Sequence, residues 1–378
     1  MTWESPRLGL LASSDQGSAG LVTRLLDIAV GALPSMAADG EFTFTVNGTR
    51  RPDGTWRLTP AGTSVRYAAI TALGLLRLPE QGQQSVLGGE SAHDLITRLA
   101  KRLDGVTDIG DAALICWAAA EAGHEELPQA LRRLTALLAR QWPAHVVQTA
   151  WVLSALVAAR PLLEVEMLLA DARERLLAAR PGRLYPHRVD RPSAAGAWLR
   201  AHVGSFAAQV YPVQAFARLH RSADDQPALA VANDVADQLC ARQGASGQWW
   251  WHYDSRTGGV VEGYPVYSVH QHAMGPMALL DLAEAGGHDH RQAISHGLAW
   301  LARPPETAES LISDDPPITW RKVARNDPRK MARGLRAAST RVLPQLRLGA
   351  LDRLYPPGVV DHECRPYELG WLLMAWLS

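Results

Sequence analysis

Three short stretches hold most of the side chains able to move protons or to grip a sugar or a cation. In "WWWHYDSRTGGVVEGYP", Trp250, Trp251, His252 and Asp254 are joined to Glu262 across a turn at Gly258 and Gly259. Two carboxyls in different surroundings can divide acid and base roles, so Asp254 and Glu262 form a candidate pair, the plainer reading being surface loop carboxylates. Trp249, Trp250 and Trp251 cannot all share one core, because neighbouring side chains point in different directions on any regular backbone. One of them is expected to reach a cavity, where an indole stacks on a sugar face or shelters positive charge.

In "YPVYSVHQHAMGP", Tyr264, Tyr267, His270 and His272 lie close together. On a helix the two histidines would sit about 200° apart, so one faces a cavity and the other packs. His270 shares a stripe with Tyr267 and Met274 and is the expected proton acceptor. His272 is the reserve, because Pro276 implies a kink or a late helix start that would re-aim the segment. In "DHECRPYELGW", His362, Glu363 and Cys364 precede a helix expected to begin at Pro366. The positive end of a helix dipole stabilises a carboxylate and lowers a thiol pKa, which makes Glu363 or Cys364 a candidate base. For Cys364 the alternative is a small buried apolar residue.

Polar groups recur at the starts of other apolar helices: Arg66 and Tyr67; Asp108 and Asp111; His145, Gln148 and Trp151; His202, Ser205, Gln209 and Tyr211; Arg365 and Tyr367. Singly each reads as a cap. Gathered at one mouth they become substrate contacts. No metal or other cofactor is expected. The spacing of His270 and His272 chelates poorly from a helix, and Cys116, Cys240 and Cys364 have no near neighbours. Neither a P-loop nor a GxGxxG loop is present.

The elements that must position these groups are helices in pairs. Apolar periodicity predicts amphipathic, charged helices over 20–33, 92–103, 128–140, 162–178, 227–242 and 291–302. Their partners, apolar nearly all round, are predicted over 64–78, 109–122, 145–159, 204–219, 269–285 and 366–377. Six such pairs favour closure into an (α/α)6 toroid with the apolar helices inside, the alternative being an open superhelix. "EFTFTV" and "TWRLT" predict a small β-hairpin. The long segment 304–361 interrupts the last pair and reads as a basic, helix-compatible insertion capping one end of the ring. The whole of 1–378 is expected to form one domain.

With 38 basic and 38 acidic residues and no long run of like charge, a nucleic-acid partner is not expected. The start lacks the features of a secretory signal, and no stretch reads as a membrane span. Three sparse cysteines fit a reducing compartment, so a cytoplasmic protein is expected, with oligomers possible.

Gln243, Gly247 and Trp249 fit the pattern Gln, three residues, Gly, one residue, Trp, and a partial copy has Arg50 in place of the glutamine before Gly54 and Trp56. This resembles the QW repeat of squalene cyclases and their relatives among the terpenoid cyclases and protein prenyltransferases. The resemblance implies an α/α toroid in which the Gln caps a neighbouring helix and Trp249 packs on it. Segments such as "HVGSFAAQVYP" and "HECRPYELGWLL" also resemble uncharacterised bacterial toroids loosely associated with polysaccharide gene clusters. The cyclase acid motif DxDD and the magnesium motif DDxxD are both missing, the nearest match being Asp314 and Asp315 in "SDDPP". Nor is there the adjacent Cys-His pair of the zinc-bearing lanthipeptide cyclases.

The expected function is therefore metal-independent acid/base chemistry on an isoprenoid-type substrate: cyclisation, isomerisation or elimination. Trp250 or Trp251 with Tyr264 and Tyr267 would shelter positive charge, and His270 or Glu363 would take the last proton. The alternative is a carbohydrate-active enzyme, such as a glycan hydrolase, lyase or uronate epimerase, acting on an oligosaccharide. A third reading is a noncatalytic toroid that binds a glycan or a peptide.

Overall fold

The computed structural model describes residues 3–38, 40–190, 198–327, 329–346 and 348–378. Six inner helices, Val65–Leu75, Ile109–Glu121, Val146–Ala159, Ala207–Ala223, Gly275–Glu284 and Pro366–Leu377, each pack on the next in this order, and the last packs back on the first. That closes an (α/α)6 toroid. The outer helices are Gln16–Ala32, Ala92–Lys101, Leu127–Arg140, Glu166–Ala178, Gln226–Cys240 and Arg291–Ala302.

Local sequence explains which layer each helix joins. Ala92–Lys101 opens with a capping box, in which the Ser91 and Asp94 side chains each accept from the other's backbone N–H, and it buries one stripe: Ala92, Leu95, Ile96, Leu99 and Ala100. Ile109–Glu121 opens on Asp108, whose carboxylate accepts from the Asp111 N–H, and buries every residue from Ala112 to Ala120. A helix apolar all round must sit inside. The seam between Val65–Leu75 and Pro366–Leu377 needs two glycines: a Cβ on Gly74 would lie 2.2 Å from the Gly370 carbonyl oxygen, and one on Gly370 would lie 2.7 Å from Thr71 Cα.

The interior of the ring is filled. Trp117 and Trp371 pack with ring centroids 5.8 Å apart, Tyr211 lies 5.9 Å from Trp371, and Trp151 meets Tyr211 edge-on at 5.3 Å. At the C-terminal ends of the inner helices, Glu121 accepts from Arg77 at 2.6 Å and pairs with Arg218. Burial works against the charged form of Glu121, but Arg218 and Arg77 pull its pKa down to about 2.

The predicted hairpin forms as Glu41–Arg50 paired with Trp56–Thr63, and Glu363–Cys364 adds to its other edge. Segment 304–361 differs from the expected helical cap. Besides the helix Met331–Val342 it contributes the strand Lys322–Arg325, which lies between Val266–Tyr267 and Pro357–Asp361. In this strand Val323 points into the core while Arg321, Lys322 and Arg325 stay partly exposed, and pairing on both sides holds it extended. The fifth inner helix also starts late, as Pro276 implies: a wide π turn over His270–Met274 precedes the α-helix at Gly275. Gln16–Met36 is, among the described residues, the one helix long and apolar enough to cross a bilayer by length and composition. Half of it is buried, and its Gln16–Ala32 part packs as the first outer helix.

Candidate active site

Side chains from the starts of several inner helices meet at one rim. Arg66 pairs with Asp111 at 2.6 Å and Asp108 at 2.8 Å, lies over the Trp151 ring, and is joined by Gln148, which donates to Asp108 at 3.1 Å. Burial raises the pKa of Asp111, against the pull of Arg66. Tyr67 stacks on Phe44, packs against Tyr367, and accepts from Arg365 at 2.9 Å.

Beside this cluster, beneath 304–361, lies a cavity of about 690 Å³. Its walls include the carboxylates Glu262, Asp327, Asp361 and Glu363, and the rings of Trp251, Tyr264 and Tyr267. All five of its cations, Arg321, Lys322, Arg325, Lys330 and Arg333, come from the insertion. Most of the charges are paired. Glu363 accepts from Arg321 at 3.2 Å and Arg365 at 3.0 Å, Asp361 holds Lys322 at 2.5 Å, and Glu262 holds Arg325 at 3.0 Å. Asp327 caps Met331–Val342 by accepting from the Met331 and Ala332 N–H groups. Lys330 and Arg333 have no carboxylate partner among the described residues, and the Arg333 guanidinium lies 4.9 Å over the Trp251 ring. Burial and the neighbouring Arg200 hold the pKa of Arg333 below the usual guanidinium value.

Behind Arg321, Glu368 is fully buried and accepts from its guanidinium at 3.3 Å. Burial raises the Glu368 pKa to about 7, although Arg321 and Arg365 oppose the shift. Arg321 stays cationic and is shared with Glu363, so Glu368 is the member of this network that takes up a proton near neutrality.

Several expected residues thus meet at the cavity: Glu262, Tyr264, Tyr267, Trp251 and Glu363, with Arg365 tying Glu363 to Tyr67. Tyr264 donates its hydroxyl to Glu306 at 2.7 Å. Burial raises the Tyr267 pKa, and Arg321 and Lys322 flank its ring. Trp250 turns into a neighbouring cavity of about 380 Å³, where it meets Tyr264 edge-on. Trp249 is fully buried against Phe206.

Other expectations fail, chiefly through burial. His270 does not line the cavity. It stacks on Phe206 at 4.3 Å, and burial lowers its pKa to about 3. The helical-wheel argument breaks because Tyr267 belongs to a strand and the π turn intervenes. His272 is buried, its pKa also pushed down to about 3 by burial. Asp254 is buried and occupied by Arg256, whose guanidinium donates to the Thr340 carbonyl and so ties the turn to the insertion. Cys364 is no thiolate: burial and the nearby Glu368 push its pKa well above the ordinary thiol value, outweighing the dipole of the helix that follows. His252 is buried and stacked on Trp251, and His202 bonds Thr340 at 3.0 Å. Gln209 holds both backbone groups of Tyr185, and Tyr211 and Trp151 pack in the ring. His145 is exposed, in a β-bridge with Arg188. The insertion's cations and Glu368 were missed. The order of residues in "TWRKVAR" does not separate strand from helix, and only the tertiary pairing shows where its cations lie.

No family model matches the sequence, and no curated protein does. Solved structures do match. An unsaturated glucuronyl hydrolase specific for heparin aligns at 14% identity with a TM-score of 0.56, over 94% of this chain and 96% of its own. An unsaturated glucuronyl hydrolase from Bacillus sp. GL1, described as responsible for degradation of glycosaminoglycan, aligns at 14% identity and TM-score 0.57, over 94% and 95%. One from Streptococcus agalactiae aligns at 10% identity and TM-score 0.58, over 100% and 95%. At these identities the likeness is one of fold, the α/α toroid. The expected kinship with terpenoid cyclases and prenyltransferases is not what these matches support. Gln243 does tie its loop to a neighbouring helix, donating to the Gly247 and Ala293 carbonyls, but that contact carries no cyclase relationship. The isoprenoid reading is overturned with it. The matching toroids act on glycans, the ring interior is packed with aromatic side chains, and the open cavity is lined with charges. Asp314, the nearest trace of the cyclase acid motif, pairs with Arg24 on the first outer helix.

Proposed function

We propose that this chain is a carbohydrate-active enzyme of the hydrolase class that acts on an acidic oligosaccharide by acid/base catalysis. The observation that carries the reading is the cavity's combination of sugar-stacking rings, paired carboxylates and two cations, Lys330 and Arg333, free of carboxylate partners. A guanidinium without a direct carboxylate partner beside an indole suits a sugar ring bearing a carboxylate or sulfate, with the ring on Trp251 and its anion on Arg333. Glu363 is the proposed catalytic group. It is partly exposed at the cavity wall and shares Arg321 with Glu368, whose raised pKa makes that buried carboxyl a positioning and tuning residue. Glu262 anchors Arg325 and Arg336 of the insertion. In this reading residues 1–378 work as one unit, because ring and insertion each supply part of the cavity wall.

The matched structures add support of a weaker kind: they are named for unsaturated glucuronyl substrates, and one is a complex with the acidic, sulfated disaccharide dGlcA-GalNAc6S. The test is a panel of unsaturated uronyl disaccharides, saturated acidic oligosaccharides and neutral oligosaccharides, with products read by mass spectrometry. Turnover confined to uronyl substrates and reduced about a hundredfold or more in Glu363→Gln is expected. Turnover of neutral sugars alone, or full activity in Glu363→Gln, refutes it.

A further inference from the structure

A second group of chemistry-bearing side chains lies away from the cavity, between the C-terminal end of Gly275–Glu284 and the start of Arg291–Ala302, against the flank of Gln226–Cys240. None of its residues lines the cavity. His288 Nδ1 is 3.0 Å from Asp237 Oδ1, and His290 Nε2 is 3.2 Å from the same oxygen. One donor atom from each of the three side chains lies within 4.8 Å of the other two. We propose that Asp237, His288 and His290 form a binding site for a divalent transition cation of the zinc type, with the remaining coordination positions open to solvent.

Zinc holds nitrogen and oxygen ligands at about 2.0–2.1 Å in a tetrahedron, whose edges are then about 3.3 Å. The two observed separations of 3.0 and 3.2 Å are close to that edge. The backbone is built to present these donors. Gly286 leaves the helix with φ +81°, and a Cβ on Gly287 would lie 2.4 Å from Leu282 Cδ1 and 2.8 Å from Asn233 Oδ1, so a glycine lets the loop pass close to the helix. Asn233 then accepts from the His288 N–H at 2.7 Å. Asp237 lies four residues further along the same helix, on the same face, directly in line with the loop. Residues 287–290 are outside any helix. Outside a helix the two side chains are not held about 200° apart, and His288 and His290 both reach Asp237. Asp289, between them, turns away to pair with Arg291 at 2.6 Å. His290 Nε2 is buried, with Asp237 Oδ1 3.2 Å away and no hydrogen bond of good geometry to it. A soft, imidazole-preferring metal fits two such nitrogens and one carboxylate better than magnesium or calcium, which take oxygen ligands.

The test uses the full chain, stripped with a chelator and titrated with Zn2+ in competition with a chromophoric chelator at pH 7.5. D237N and H288A/H290A variants run beside it, with circular dichroism confirming their fold. One zinc per chain is expected, with affinity at least about tenfold weaker in each variant. The Co2+-loaded wild type should show visible d–d absorption, a readout independent of the variants. Failure of the wild type to take up either ion, or equal uptake by the wild type and H288A/H290A, overturns the proposal.

Discussion

Replacing Glu368 by Gln tests the charge network that backs the cavity. In the folded chain the carboxyl has its pKa raised by burial from an ordinary 4.5 to about 7. An acid with a raised folded pKa keeps its proton longer in the native state than in the unfolded chain. Native protein therefore binds more protons between these two values, and stability falls as pH rises through that window. The shift amounts to about 2.5 units, or roughly 3 kcal/mol lost by pH 8 at 1.36 kcal/mol per unit. Gln cannot titrate, so the variant lacks this loss. Its constant contribution, the altered bond to Arg321, cancels when two pH values are compared. For 378 residues the unfolding entropy is about 0.8 kcal/mol per kelvin, and part of the loss is already present at pH 5, so the gap between variant and wild-type Tm should widen by about 3 °C from pH 5 to pH 8, in favour of the variant. Calorimetric melts of both proteins across that range measure it. Parallel curves within about 1 °C, or a gap that moves the other way, would show that Glu368 is ionised throughout and that it does not hold a proton next to Glu363.

Gly74→Ala should cost about 3 kcal/mol, read by chemical denaturation, because the new methyl meets backbone of the facing helix where no side chain can yield; a variant as stable as wild type would mean the ring does not close at Gly74 and Gly370. Arg333→Ala should raise KM for an acidic oligosaccharide about tenfold, with kcat nearly unchanged and a weaker salt dependence, since one charge-assisted bond contributes about 1.5–3 kcal/mol. Equal loss on a neutral substrate would place Arg333 in the framework and not in substrate recognition.

The relation between sequence and structure is clearest residue by residue. Helix pairing was readable because its signals are local: the capping box at Ser91 and Asp94, the all-apolar run Ala112–Ala120, and Pro366 opening the last helix all act within a turn or two. Glu363 and Tyr267 could be shortlisted because they precede inner helices, whose starts a closed ring must bring to one rim, and Trp251 because three consecutive indoles cannot share one core. Local pattern could not rank them against His270, Asp254 and Cys364, which have equally reactive side chains. Burial separates the two groups, and it comes from partners far along the chain, such as Phe206 stacked on His270 and the strand Glu41–Arg50 paired with Cys364. The cavity's positive wall was further out of reach. Lys322 meets Tyr267 and Asp361 through strand pairing across 55 and 39 residues, and nothing local encodes that register. Sequence determined the rods and their order, because helix formation and capping are short-range. Tertiary structure alone decided which acids face solvent, which lie buried, and where the cations point, because desolvation and ion pairing depend on neighbours the chain supplies only after it has closed.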